Sequence, residues 1–171
     1  MKRLSYRNAQ NLMLFITIFV LGFSFYIEHA NQLKACPLCI MQRLCIFLFG
    51  FTCILGMNAM SIQRAKMNTN IQCVILGLGL YFAGRQLYLQ SLSLEQTGQC
   101  LPGLEAMIHY FSLDMILKAF FWGSSDCAAI DWRWFGLSIP AWSALYFVTM
   151  FVSSLAVCIR LHRSLKQRSK F

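Results

Sequence analysis

Charge is scarce in this chain, and negative charge scarcest: 12% of its 171 residues are charged, and only six are acidic against fifteen lysines and arginines. With 58% of residues hydrophobic and 15% aromatic, that scarcity excludes an ordinary soluble domain. The sequence also lacks internal repeats, low-complexity linkers and any sign of a second domain, so residues 1–171 read as a single transmembrane domain. A small-residue cleavage site is missing too. Lys2, Arg3 and Arg7 precede an apolar run as they do in signal peptides, but Glu28-His29-Ala30-Asn31 follows it, which favours a retained span.

What is present is a set of apolar segments near the roughly 20-residue length that crosses a bilayer. They fall at about 12–27, 39–60, 71–89 and 139–159, the first short enough to borrow flanking residues. The expected fold is all-α: a four-helix bundle in a membrane. A connection of about ten residues around 61–70 makes spans two and three antiparallel neighbours.

The net charge of +9 raises the question of nucleic acid, but its distribution answers otherwise. Lys2, Arg3, Arg7, Arg64, Lys66, Arg160, Arg163, Lys166, Arg168 and Lys170, ten of the fifteen bases, lie on one side of the four-span topology. All six acids, Glu28, Glu95, Glu105, Asp114, Asp126 and Asp131, lie on the other. The bias puts both termini in the cytoplasm. The connections at about 28–38 and 90–138 then face outward, into the periplasm of a Gram-negative host. Within the second, residues 104–122 are apolar at near-helical spacing but interrupted by Glu105, Asp114 and Lys118, as in a helix lying on the outer leaflet. The basic tail reads as a topology anchor that favours anionic lipid.

Eight cysteines divide by position. Cys45, Cys53, Cys73 and Cys158 fall inside spans, where a thiol packs as a small hydrophobe. Cys36, Cys39, Cys100 and Cys127 lie at or beyond the outer boundary, in an oxidising compartment. Four cysteines allow three pairings. Cys36 and Cys39 would close a ring too small to constrain much chain, so a structural staple explains them poorly and thiol exchange explains them well. Cys100 and Cys127, with 26 residues between them, also suit a static staple. A zinc site is disfavoured because structural zinc sites usually use two tight pairs. A disulfide-stapled scaffold and a metal-binding module remain the rival classes. Quinone reduction with a reduced thiol partner separates the first from an enzyme, and metal analysis separates the second.

The neighbours of the pair sharpen the redox reading. Pro37 and Leu38 lie where span two begins, which places Cys39 near a helix N-terminus, where a thiolate is favoured. Arg43 follows one turn deeper on the same face, and Arg85 lies at comparable depth near the outer end of span three. Arginines inside the hydrocarbon mark functional sites unless they snorkel to the interface. Together they would stabilise a thiolate and polarise a carbonyl oxygen, which fits a lipid-soluble quinone as electron acceptor.

Cys36-Pro37-Leu38-Cys39-Ile40-Met41-Gln42-Arg43 resembles the C-x-L-C-x-x-x-R signature of the DsbB family of disulfide bond formation proteins. Gly84-Arg85-Gln86-Leu87-Tyr88-Leu89-Gln90 resembles that family's third span. Cys100-Leu101-Pro102-Gly103-Leu104, Ser125-Asp126-Cys127-Ala128 and Gly136-Leu137-Ser138-Ile139-Pro140-Ala141-Trp142 resemble its second outer loop and entry to span four. The likeness covers nearly the whole chain in order.

The resemblance implies an inner-membrane four-helix bundle that oxidises DsbA, a soluble thioredoxin-fold thiol oxidase, and passes electrons to ubiquinone or menaquinone. It implies that Cys100–Cys127 is attacked by the partner, with Cys100 in the mixed disulfide. Cys127 would then engage Cys36 and free Cys39 as the thiolate facing the quinone, supported by Arg43. Ser91 stands where some family members carry a histidine, so no role of that histidine transfers.

Overall fold

A computed structural model of the chain describes residues 3–32, 36–59, 61–92, 120–123, 127 and 133–168. Four long helices dominate: α1 (Arg3–Ala30), α2 (Pro37–Met57), α3 (Ile62–Ser91) and α4 (Ile139–Arg168). Between α3 and α4 stands a short antiparallel ribbon, β1 (Arg133–Trp134) and β2 (Leu137–Ser138), with Arg133 opposite Ser138. Phe135 (φ 50°) and Gly136 (φ 78°) make its two-residue turn, whose handedness matches the twist of the ribbon. Neighbouring helices pack α1 on α2, α2 on α3, and α3 most extensively on α4.

Three segments, Ser5–Ala30, Pro37–Met57 and Ile139–Ser164, are long and apolar enough to cross a membrane. At ~1.5 Å per residue, the 21 residues of α2 nearly match the roughly 30 Å of a hydrocarbon core. The 30-residue α3 is longer but less apolar: Gln63, Arg64, Lys66, Asn68 and Asn70 make its first turns polar, and Gln72 and Gln86 stand in its buried stripe. Large apolar side chains face outward along the helices, among them Phe15, Phe19, Phe47 and Val74, while Phe49, Phe147, Leu38 and Leu76 fill the interior.

Hydropathy marks where these helices are apolar and not where they end. α3 begins at Ile62, so most of the connection expected at 61–70 is helix. Ser61 caps it, its Oγ accepting from the Arg64 amide at 3.2 Å, and Gln63, Arg64, Ala65, Lys66 and Met67, which follow, are good helix formers. In the same way α1 starts well before residue 12, and α4 continues past residue 159. Of the outer-leaflet helix expected at 104–122, only 120–122 are described, and these are helical. Residues 104–119 and Cys100 lie outside the described residues.

Polar groups hold the helices in register. Thr17 on α1 meets the Tyr146 hydroxyl on α4 at 2.9 Å, and Gln72 Nε2 on α3 donates to Gln10 Oε1 on α1 at 2.8 Å. An amide without a partner is expensive in apolar surroundings, so such pairs select one register. Close approach of α3 and α4 depends on Gly79: a Cβ there would lie 2.2 Å from the buried ring of Phe147.

Candidate active site

The Cys-Pro-Leu-Cys sequence builds its own geometry. Cys36 is extended (φ −74°, ψ 159°) and caps α2, with its sulfur accepting from the Cys39 amide at 3.4 Å. Pro37 takes the first helical position, where a missing N–H costs nothing. Cys39 therefore falls in the first turn, with its Sγ 3.0 Å from Cys36 Sγ. That is about 1 Å longer than a disulfide bond, and both sulfurs sit at the positive end of the helix.

A chain of side chains from three helices reaches this pair. Ser143 Oγ on α4 donates to Gln42 Oε1 on α2, and Gln42 Nε2 donates to Gln86 Oε1 on α3 at 2.7 Å. Gln86 Nε2 then donates to Cys39 Sγ at 3.1 Å and to Cys36 Sγ at 3.4 Å. Gln42 and Gln86 are both buried. Neither glutamine was singled out from sequence. The available signal was helical spacing, which puts Gln86 in line with Leu76, Gly79 and Ala83 on the buried stripe of α3.

A third cysteine closes over the first two. Cys127 is buried (1% exposed), and its hydrogen bond with Cys36 is the foremost reason that the Cys36 thiol is pushed well above the ordinary thiol range. The contact with Cys39 and burial act in the same direction. The nearby segment is seated by Gly123 (φ 85°), where a Cβ would lie 2.6 Å from Leu89 and 2.8 Å from Leu38. Ser138 Oγ donates to Gln90 Oε1 at 2.9 Å, which ties the ribbon to the same end of α3. Three of the four predicted redox cysteines thus meet at one place.

The two arginines part company. Arg43 reaches toward α1: its guanidinium pairs with Glu28, Nε donates to Ser24 Oγ at 3.0 Å, and the Phe25 ring lies 4.8 Å away. It also stays within electrostatic range of Cys39. Ser24 and Glu28, four residues apart on one face of α1, are the partners that sequence reasoning missed. Arg85 instead donates to the Trp122 carbonyl at 3.2 Å and lies over the Tyr88 ring. Ser91, at the end of α3, donates to the Tyr88 carbonyl at 2.7 Å.

Of the cysteines expected to pack, Cys45 and Cys53 are buried, while Cys73 and Cys158 are partly so. Among the described residues no three His, Cys, Asp or Glu side chains converge as a metal site.

Residues 6–157 match the family model for disulfide bond formation protein DsbB. The chain is 33% identical over 170 residues to disulfide bond formation protein B of Acinetobacter baumannii, covering 98% of this chain and 99% of that one. It is 35% identical over 142 residues to disulfide bond formation protein B 1 of Pseudomonas aeruginosa, covering 82% and 87%. The protein B of Stutzerimonas stutzeri is 32% identical over 160 residues, covering 90% and 98%. No solved structure matches the chain.

Proposed function

Because this chain belongs to the DsbB family of disulfide bond formation proteins, we propose that it reoxidises a DsbA-like thioredoxin-fold partner and passes the electrons to a membrane quinone. In this reading residues 1–171 form one four-helix bundle in the bacterial inner membrane. Both termini are cytoplasmic, and Cys36, Cys39, Cys100 and Cys127 face the periplasm.

The reaction balances as thiol exchange. A thiolate of the partner attacks Cys100 of the Cys100–Cys127 disulfide, forms a mixed disulfide and releases Cys127 as a thiolate. Cys127 attacks Cys36 of the Cys36–Cys39 disulfide, which releases Cys39 as a thiolate. The partner's second thiol displaces Cys100, and the partner leaves oxidised. Cys100 then attacks Cys127 and restores the first disulfide, leaving Cys36 and Cys39 reduced. A quinone, ubiquinone or menaquinone, supplies the two-electron, two-proton acceptor that returns Cys36 and Cys39 to a disulfide.

The residues at this end of α2 suit such an acceptor. Cys39 is only partly buried, at the start of a helix whose outward face is apolar, and Arg43 supplies a nearby cation. With its guanidinium engaged by Glu28 and Ser24, Arg43 acts on the thiolate and the acceptor chiefly through its field. Arg85 is a second cation, on the residue next to Gln86.

The observation that carries the reading is the contact of buried Cys127 with Cys36 beside Cys39. The test is turnover: purified protein with a reduced DsbA-like partner should reduce ubiquinone or menaquinone in step with partner oxidation. Partner oxidation that proceeds without quinone reduction would refute it.

A further inference from the structure

We infer that Gln86 is a positioning residue for the thiol pair: its amide presents one N–H edge to both sulfurs, and Gln42 and Ser143 hold it in that orientation. The inference rests on the relay reading above, in which Cys39 acts as a thiolate.

Each group in the chain fixes the next. Ser143 Oγ shares its one proton between Gln42 Oε1 and the Pro140 carbonyl (3.0 Å), and Gln42 Nε2 donates to Gln86 Oε1 at 2.7 Å. With its oxygen engaged, Gln86 directs Nε2 at Cys39 Sγ, 3.1 Å away, while its oxygen lies farther from that sulfur at 3.5 Å. Gln86 is 3% exposed, so water does not compete for the donor. An N–H donor binds a thiolate more strongly than a thiol, because the bond is charge-assisted. The same nitrogen is 3.4 Å from Cys36 Sγ, so one fixed amide serves whichever sulfur becomes anionic during exchange.

The test uses the full chain, reduced, in membranes or detergent. Gln86→Met keeps the length and removes the donor; Gln86→Glu keeps the shape and puts carboxylate oxygens where the N–H edge was. Iodoacetamide alkylation of Cys39 is followed across pH by mass spectrometry of its peptide. Both variants should alkylate Cys39 more slowly at neutral pH, by about ten- to a hundredfold, the loss of one hydrogen bond to an anion. The rate should recover toward wild type as pH rises, whereas a merely structural role would leave the pH profile in place. A wild-type profile in Gln86→Met or Gln86→Glu overturns the inference. Partner turnover by Cys36→Ser is measured in parallel: if it is lost while the Gln86 variants titrate as wild type, this inference alone fails. If Cys36→Ser turns over fully, the relay reading beneath it fails.

Discussion

Gln10 and Gln72 join α1 to α3 beside Cys53, while Gln42 and Gln86 join α2 to α3 beside Cys36 and Cys39. The ingredients are the same, two buried glutamines and a thiol. In the first pair the amides bond reciprocally, at 2.8 Å and 3.4 Å, and Cys53 receives only a long contact of 3.6 Å. In the second the amides bond in one direction only, Gln42 to Gln86, which leaves the Gln86 N–H edge for the sulfurs, while the Cys39 thiol donates back to Gln86 Oε1 at 3.5 Å. Cys53 also lies about one turn from the C-terminal end of α2, the negative end of its dipole, whereas Cys36 and Cys39 share the positive start of that helix. A closed pair is a fastener between helices. An open pair, ending at two thiols where unpaired helix amides collect, is arranged for chemistry.

The sharpest way to break this comparison is to exchange the thiols. Cys36→Ser should abolish steady-state oxidation of the partner, since every electron pair passes through that sulfur, while Cys53→Ala should leave turnover largely intact. Absorbance of the quinone during turnover reads both, and full activity in Cys36→Ser would end the distinction.

A smaller effect is expected at Arg43. Arg43→Ala should reduce quinone-linked turnover about 10- to 150-fold, equivalent to one charge-assisted interaction of roughly 1.5–3 kcal/mol. Single-turnover exchange with the partner should be spared. Arg43→Lys should be milder but still impaired, because lysine keeps the charge and loses the planar fork that meets Glu28 and Ser24. Equal loss in both steps would assign Arg43 to helix placement.

The four helices were legible in the sequence, because apolar run length carries that information directly, and Cys45 and Cys53 are buried as a thiol inside a span should be. The C-P-L-C spacing likewise foretold a thiol pair at a helix start. What was not legible involved pairing across helices. Arg43 was expected at a thiolate, yet its guanidinium engages Glu28 and Ser24 on α1, a partnership no local spacing around Arg43 encodes. Gln42 and Gln86 read as ordinary polar residues until α2 and α3 come together. The early start of α3 was missed because a polar helix and a polar loop have similar hydropathy.

Protonation gives a third contrast. Because Cys127 and burial push the Cys36 thiol upward, reduced Cys36 should alkylate slowly at neutral pH and faster only above the ordinary thiol range near ~8.5. Raising the pH deprotonates the sulfur, so the rate must climb with pH. Cys127→Ala removes the leading cause and should move that climb to lower pH, as peptide-resolved alkylation would report.

The closed pair should respond in stability and hardly in turnover. Gln72→Leu leaves the buried Gln10 amide without its partner, at a cost of about 1–2 kcal/mol, read as a lower thermal midpoint in detergent. Replacing Gln10 and Gln72 together by leucine should recover most of that loss, since neither polar group is then stranded. Turnover reduced in parallel with the single-variant stability loss would blur the line between the two pairs.

The most direct test of the central claim, that Cys127 delivers electrons to the Cys36–Cys39 pair, is a disulfide map of the protein quenched with acid during turnover. With reduced partner and no quinone, non-reduced peptide mapping should reveal a Cys36–Cys127 linkage that disappears once quinone is added. Partner oxidation that continues with only Cys36–Cys39 and Cys100–Cys127 linkages present at every time point would contradict the account.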